Sequence, residues 1–136
     1  MLTQKQNLFY SHILLAQQAL VSCEWLYNEM KNPQTNVKLI DASWFMPAQR
    51  RNPAKEFEEQ RIAGAAAHFN IDNICDKSSS LPHMLPTVNQ FEQQVSELGL
   101  SNNNHIVVYD TSGCFFASAR VWWTFRVWLV SINEEN

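Results

Sequence analysis

The stretch His105–Trp123 reads HIVVYDTSGCFFASARVWW. Four apolar residues, Ile106 to Tyr109, run into a short polar loop, and a bulky apolar run resumes beyond it. That order spells strand, tight loop and helix. The loop and helix N-terminus of such a unit leave backbone N–H groups aimed at one point, which makes a cradle for an anion. Asp110 follows the strand directly, whereas the nearest thiol, Cys114, stands four residues further on.

The same strand-into-loop pattern occurs earlier. Val37–Ile40 (VKLI) runs into Asp41-Ala42-Ser43-Trp44, and Ala65–Ile71 (AAAHFNI) predicts a second brief strand ending at Asp72. Helices lie between them. Ser22 reads as the N-cap of CEWLYNEMK, which should end near Asn32-Pro33. Pro53 suits the first position of a charged helix, AKEFEEQR. Thr87 and Gln90 match a capping box, with Val88, Phe91, Val95 and Leu98 on one face and Gly99 as the stop. Pro82 and Pro86 make DNICDKSSSLPHMLP a loop. Ala117–Val130 reads as a helix so rich in Trp, Phe, Val and Leu that it must be buried on most sides or lean on a partner.

Helices alternating with short apolar strands, without hairpin signals, imply an α/β fold with a mainly parallel sheet and helices on both faces. Ligands of such sheets gather at the carboxyl ends of the strands, so Asp41, Asp72 and Asp110 fall where a site belongs.

Composition narrows the function classes. A chain of 136 residues, 46% hydrophobic, supports one domain with a real core. A net charge of -3 and no cluster of Lys and Arg exclude a nucleic-acid partner. Cys23, Cys75 and Cys114 are widely spaced, form no C-x-x-C pair and have no His at zinc-finger spacing, so no metal centre is expected and a reducing compartment fits. Neither a dinucleotide nor a Walker glycine pattern is present, and no cofactor is expected. No stretch is long and apolar enough to span a bilayer, so no membrane association is expected. The first 23 residues lack acidic side chains, as mitochondrial presequences do, but Lys5 is their only Lys or Arg. A cytoplasmic or mitochondrial location is expected.

KLIDASWFMPAQRRNPAKEFEEQRIAGA, HFNIDN, SLPHMLP and VVYDTSGCFFASARVWWTFR together resemble the N-terminal rhodanese-type domain of the two-domain thiosulfate and 3-mercaptopyruvate sulfurtransferases, closest to the mercaptopyruvate branch. The resemblance runs from about Ala19 to Val127. It implies a rhodanese-like parallel sheet in a domain spanning 19–130, preceded by an extension over 1–18 and followed by a polar tail over 131–136. In that family a cysteine directly after a strand of the C-terminal domain accepts sulfur, becomes a persulfide and passes the sulfur to a thiol or cyanide. A ring of N–H groups lowers the thiol pKa and stabilises the persulfide. The N-terminal domain carries Asp at the nucleophile position, matched here by Asp110. A carboxylate cannot hold transferable sulfur, and among N–H groups it becomes a satisfied structural anion.

The resemblance further implies that Asp72 and His83 match an Asp and a His in a proton relay with a serine beside the catalytic cysteine of the other domain. Read from the residues alone, His83 hydrogen-bonds a loop carbonyl and Asp72 caps the turn after its strand. The implied partner is a C-terminal rhodanese domain or another protein, and the implied ligands are small sulfur compounds. His68 and His105 read as ordinary strand-edge residues, Trp44, Trp122 and Trp123 as core or domain-interface packing, and Cys23 and Cys75 as buried small hydrophobes.

The chain departs from the family pattern in three ways. The C-terminal half with its cysteine and substrate-binding arginines is absent. AAAHFNID and GCFFASAR are each one residue longer than usual, and Ala63 replaces a usual Pro. After TFRVW the chain reads LVSINEEN where a Gly-His turn leads into a further strand, so the sheet is expected to be truncated at its C-terminal edge, leaving apolar surface near the aromatic helix.

The longer loop places Cys114 and Arg120 in the Cys-x5-Arg spacing of cysteine phosphatases, where a thiolate attacks phosphorus while Arg clamps two oxygens. Against this, a phosphatase cysteine follows its strand directly, and here Gly113 precedes the thiol and two phenylalanines fill the loop. Three readings therefore stand in order: the nucleophile-free half of a sulfurtransferase, inactive alone; a standalone rhodanese-like binding module; and a phosphatase.

Overall fold

Val37–Asp41 (β1) is the strand from which the architecture is built, because both other strands pair with it. The computed structural model describes residues 19–113 and 116–134, with side chains through Trp128. Two compact units are distinguished, one up to Thr35 and one from Asn36 onward.

The first unit contains α1 (Cys23–Lys31). Ser22 caps it as expected: its hydroxyl oxygen accepts the Trp25 N–H at 3.0 Å, satisfying one of the orphan donors of the first turn. Glu24 in the first turn and Lys31 in the last complement the helix dipole, and Asn32 is the C-cap.

The second unit runs β1, a 3-10 turn at Pro47–Gln49, α2 (Pro53–Glu59), β2 (Ala65–His68), α3 (Val88–Glu97), β3 (His105–Tyr109) and α4 (Phe116–Glu134). The sheet order is β2-β1-β3 and both pairings are parallel. Val37 sits opposite His105 and Asp41 opposite Tyr109, so β1 and β3 end level with each other. This is the α/β parallel sheet that the sequence implies.

Alternation along the strands sorts the faces. Ile40 and Ala42, with Ala67 and Phe69, join Phe91 of α3 and Val121 and Phe125 of α4 in the buried core. Phe125 is the hub, with Phe91 edge-on at 5.2 Å and Phe69 at 5.6 Å. Each such aromatic side chain contributes about 1.5–3 kcal/mol by leaving water. On the other face, Phe57 of α2 lies 6.2 Å from the His68 ring. Helices thus flank both faces of the sheet.

The expected strand Ala65–Ile71 stops at His68. Past that point the Phe69 N–H still bonds to the Asp41 carbonyl at 2.7 Å, but the Asn73 N–H turns back to the Asn70 carbonyl at 3.0 Å and takes the chain off the ladder. Phe69 and Ile71 are apolar because they enter the core, not because they continue a strand. In α3 both halves of the Thr87–Gln90 capping box form. Gly99 follows α3 at φ +76, a conformation that a side chain would strain.

Helix α4 begins at Phe116 and extends to Glu134, four residues beyond the expected end. Through Trp128 it is not buried on most sides: Ala117, Val121, Thr124 and Phe125 form one buried stripe, while Trp122 and Trp123 are 38% and 46% exposed. The guanidinium groups of Arg126 and Arg120 lie over those two indoles, which covers apolar ring faces with charge that water still reaches. Among the described residues β3 pairs with β1 alone, and its apolar residues Ile106–Tyr109 are only half-buried. A hollow of about 280 Å³, lined by Phe91, Val95, Leu100, Ile106 and Phe125 among others, opens beside it.

Candidate functional site

The carboxyl ends of the three strands bring three loops together. After β3, Asp110 Oδ1 accepts the Ser112 N–H at 3.0 Å and the Ser112 hydroxyl at 2.6 Å. Its Oδ2 accepts the Ser118 N–H at 2.9 Å. Ser118 is the third residue of α4, so the carboxylate fills one of the orphan donor positions at the helix N-terminus. Burial is the largest influence on this carboxyl and pushes it up, but the bonds from Ser112 and Ser118 together outweigh it and hold the group below its ordinary value. Gly113, at φ +80, allows the chain to reverse there.

The loop after β1 is tied to this one. Ser43 Oγ accepts the Thr111 N–H at 2.9 Å and meets Thr111 Oγ1 at 3.0 Å, while Asp41 Oδ1 accepts the Ser43 N–H at 2.7 Å. His68, at the end of β2, places Nε2 2.9 Å from the Ser43 carbonyl oxygen.

Next to these loops, Asp72 and His83 meet. His83 Nε2 lies 2.6 Å from Asp72 Oδ1, and Trp44 Nε1 donates to Asp72 Oδ2 at 3.0 Å. The Trp44 ring stands edge-on to His83 at 5.2 Å and to Phe116 at 5.6 Å. His83 adopts φ +58, an uncommon left-handed conformation for a residue with a side chain. Its carbonyl accepts from Arg120. The Asp72 carbonyl accepts the Cys75 thiol at 3.3 Å and also the Lys77 ammonium. The Asp72 side chain is 56% exposed and that of His83 is 26% exposed, so solvent reaches the pair. Among the described residues no group of His, Cys, Asp and Glu is placed to hold a metal ion.

Cys114 lies outside the described residues. Arg120 directs its guanidinium at the Thr124 hydroxyl, 2.6 Å away, and at the His83 carbonyl, both neutral oxygens. Burial pushes Arg120 down from its ordinary value, with a smaller opposing influence from Cys75. The role of Trp44 as a donor to Asp72 is not apparent in the sequence, where its bulk signals packing; the only hint is its place just past the end of β1.

No family model matches the chain. The thiosulfate/3-mercaptopyruvate sulfurtransferase 1, mitochondrial, of Arabidopsis thaliana is 45% identical over 108 residues, covering 79% of this chain and 27% of that protein. The 3-mercaptopyruvate sulfurtransferase of Rattus norvegicus is 42% identical over 111 residues, covering 79% of this chain and 37% of that protein. The crystal structure of SseA from Escherichia coli, described as a 3-mercaptopyruvate sulfotransferase with the rhodanese fold, superposes with a TM-score of 0.71 at 36% identity, covering 79% of this chain and 40% of SseA.

Over 79% of its length the chain is homologous to thiosulfate/3-mercaptopyruvate sulfurtransferases and shares the rhodanese fold of SseA. This rhodanese-like domain spans between 27% and 40% of the length of those three relatives. Among its described residues no helix is long and apolar enough to cross a membrane.

Proposed function

We propose that the chain is the N-terminal, nucleophile-free half of a mercaptopyruvate-type sulfurtransferase, paired with a second rhodanese domain that carries the sulfur-accepting cysteine. The observation that carries this reading is the Asp110 carboxylate seated on the Ser112 and Ser118 amides, where a thiolate would otherwise gain the same donors. A carboxylate in that seat completes the fold and transfers nothing.

In sulfur transfer from 3-mercaptopyruvate, the partner's cysteine thiolate forms an S–S bond and the substrate C–S bond breaks. Its electron pair passes to the pyruvate enolate, and the proton of the substrate thiol must reach that enolate. The Asp72–His83 pair, joined at 2.6 Å and open to solvent, has the geometry to hold and pass such a proton. Thiosulfate, which the names of relatives also include, is a second donor of the same chemical class. A mitochondrial location is favoured by the name of one relative, with the cytoplasm as the other candidate.

Thiocyanate formation from cyanide with either donor tests this on the isolated chain, where we expect no turnover. Turnover abolished by Cys114→Ser would overturn the reading. A second reading, a standalone binding module, is favoured by the exposed Trp122 and Trp123 on α4. Size-exclusion chromatography separates the two: the half-enzyme self-associates or binds a catalytic domain, whereas a standalone module runs as a monomer. The placement of Arg120 lends no support to phosphatase chemistry, because its guanidinium is committed to neutral oxygens.

A further inference from the structure

Each oxygen of the Asp72 carboxylate is held by a different ring: Oδ1 by His83 Nε2 and Oδ2 by Trp44 Nε1. A carboxylate held at one oxygen alone can turn about its Cβ–Cγ bond. Held at both, it has one orientation. The indole that holds Oδ2 is itself fixed, packed against the core and edge-on to Phe116. An ionised carboxylate only accepts hydrogen bonds, so the nitrogen facing it must carry the proton. In His83 that nitrogen is Nε2, which leaves Nδ1 as the basic atom. The backbone of His83 is secured separately, through Arg120 on its carbonyl.

We propose that Trp44 is a positioning residue for the Asp72–His83 pair: its indole N–H locks the carboxylate so that His83 keeps its proton on Nε2 and exchanges protons through Nδ1 alone. The proposal rests on reading that pair as proton-holding, but its consequence is visible without sulfur transfer. An orienting partner that fixes the tautomer of a histidine decides which ring atom can act as base.

The test is Asp72→Asn, read by long-range proton–nitrogen NMR on the ¹⁵N-histidine-labelled chain, with His83 assigned by the signals lost in His83→Gln. If the Trp44 N–H fixes orientation, the amide oxygen of the replacement faces Trp44 and its NH₂ group faces Nε2. His83 must then accept at Nε2, and its proton moves to Nδ1. If Trp44 has only a packing role, the amide turns its oxygen to His83 and the proton stays on Nε2.

Trp44→Phe keeps an aromatic ring at this position and removes the N–H donor; combined with Asp72→Asn, it should return the proton to Nε2. We expect Nε2–H in the wild type, Nδ1–H in Asp72→Asn and Nε2–H again in the double variant. Nε2–H retained in Asp72→Asn, or Nδ1–H in the wild type, overturns the proposal. Sulfur transfer by the isolated chain would defeat the reading of Asp110 while leaving this tautomer pattern untouched, so the two fail separately.

Discussion

The Asp110 carboxylate accepts the Ser118 N–H at 2.9 Å, which joins the end of β3 to the first turn of α4 across eight residues. The bond makes the acid a staple for the loop as well as an occupant of the anion seat. Asp110→Ala would remove the carboxylate that accepts from Ser112 and Ser118, at a cost of about 1–3 kcal/mol. A lower urea midpoint with an unchanged m-value is the expected result.

The same carboxyl makes stability depend on acid. Its folded value lies below its unfolded value, so the unfolded chain binds more protons as the pH falls. The contribution of Asp110 is therefore fully present above about pH 4 and is lost as the pH drops through the folded value. Urea unfolding between neutral pH and pH 3 should show a steeper loss for the wild type than for Asp110→Asn. Asp76, held low chiefly by Ser78, acts in both proteins and cancels in the comparison.

A thiol placed in the seat should behave as a thiolate. In a Cys23→Ser, Cys114→Ser background, Asp110→Cys would receive the amides of Ser112 and Ser118. Its alkylation should reach half its maximal rate below the free-thiol value of about 8.5. Alkylation with a midpoint at or above that value would show that these donors do not converge on an anion.

Phe91 is 2% exposed and meets Phe125 edge-on at 5.2 Å, beside the hollow between α3, β3 and α4. Phe91→Ala should cost about 3–5 kcal/mol, because the adjoining space leaves nothing to close over the gap. Phe57→Ala, at a half-buried site on the opposite face, should cost clearly less. Thermal unfolding of the two variants decides this.

The readability of the chain followed physical rules. VKLI and IVVY were legible because strands of a parallel sheet run as apolar-rich segments without strict alternation. The Thr87–Gln90 and Ser22 caps were legible because capping is local. The end of β2 was not, since Phe69 and Ile71 carry the apolar signal of burial after the ladder has stopped. Nor was the one-sided burial of α4, because Trp122 and Trp123 share their faces with arginines that hydropathy counts separately. At the site, the Ser112 bond to Asp110 spans two residues and has a local signature, whereas Trp44 reaches Asp72 across 28 residues. Only the meeting of the loops after β1 and β2 makes that bond, and no spacing rule reports it.

Both neighbours of β1 come later in the chain, and the later one is distant: Ser43 and Thr111, which bond at the strand ends, are 68 residues apart. Closing so long an interval costs entropy before any contact repays it, which places this topology among the slower folders. During synthesis, β1 can acquire β2 early but must leave its other edge unmatched until Tyr109 has left the ribosome. From the completion of β2 at His68 until Tyr109 emerges, the nascent chain thus carries an apolar, half-finished sheet, the kind of intermediate on which chaperones act.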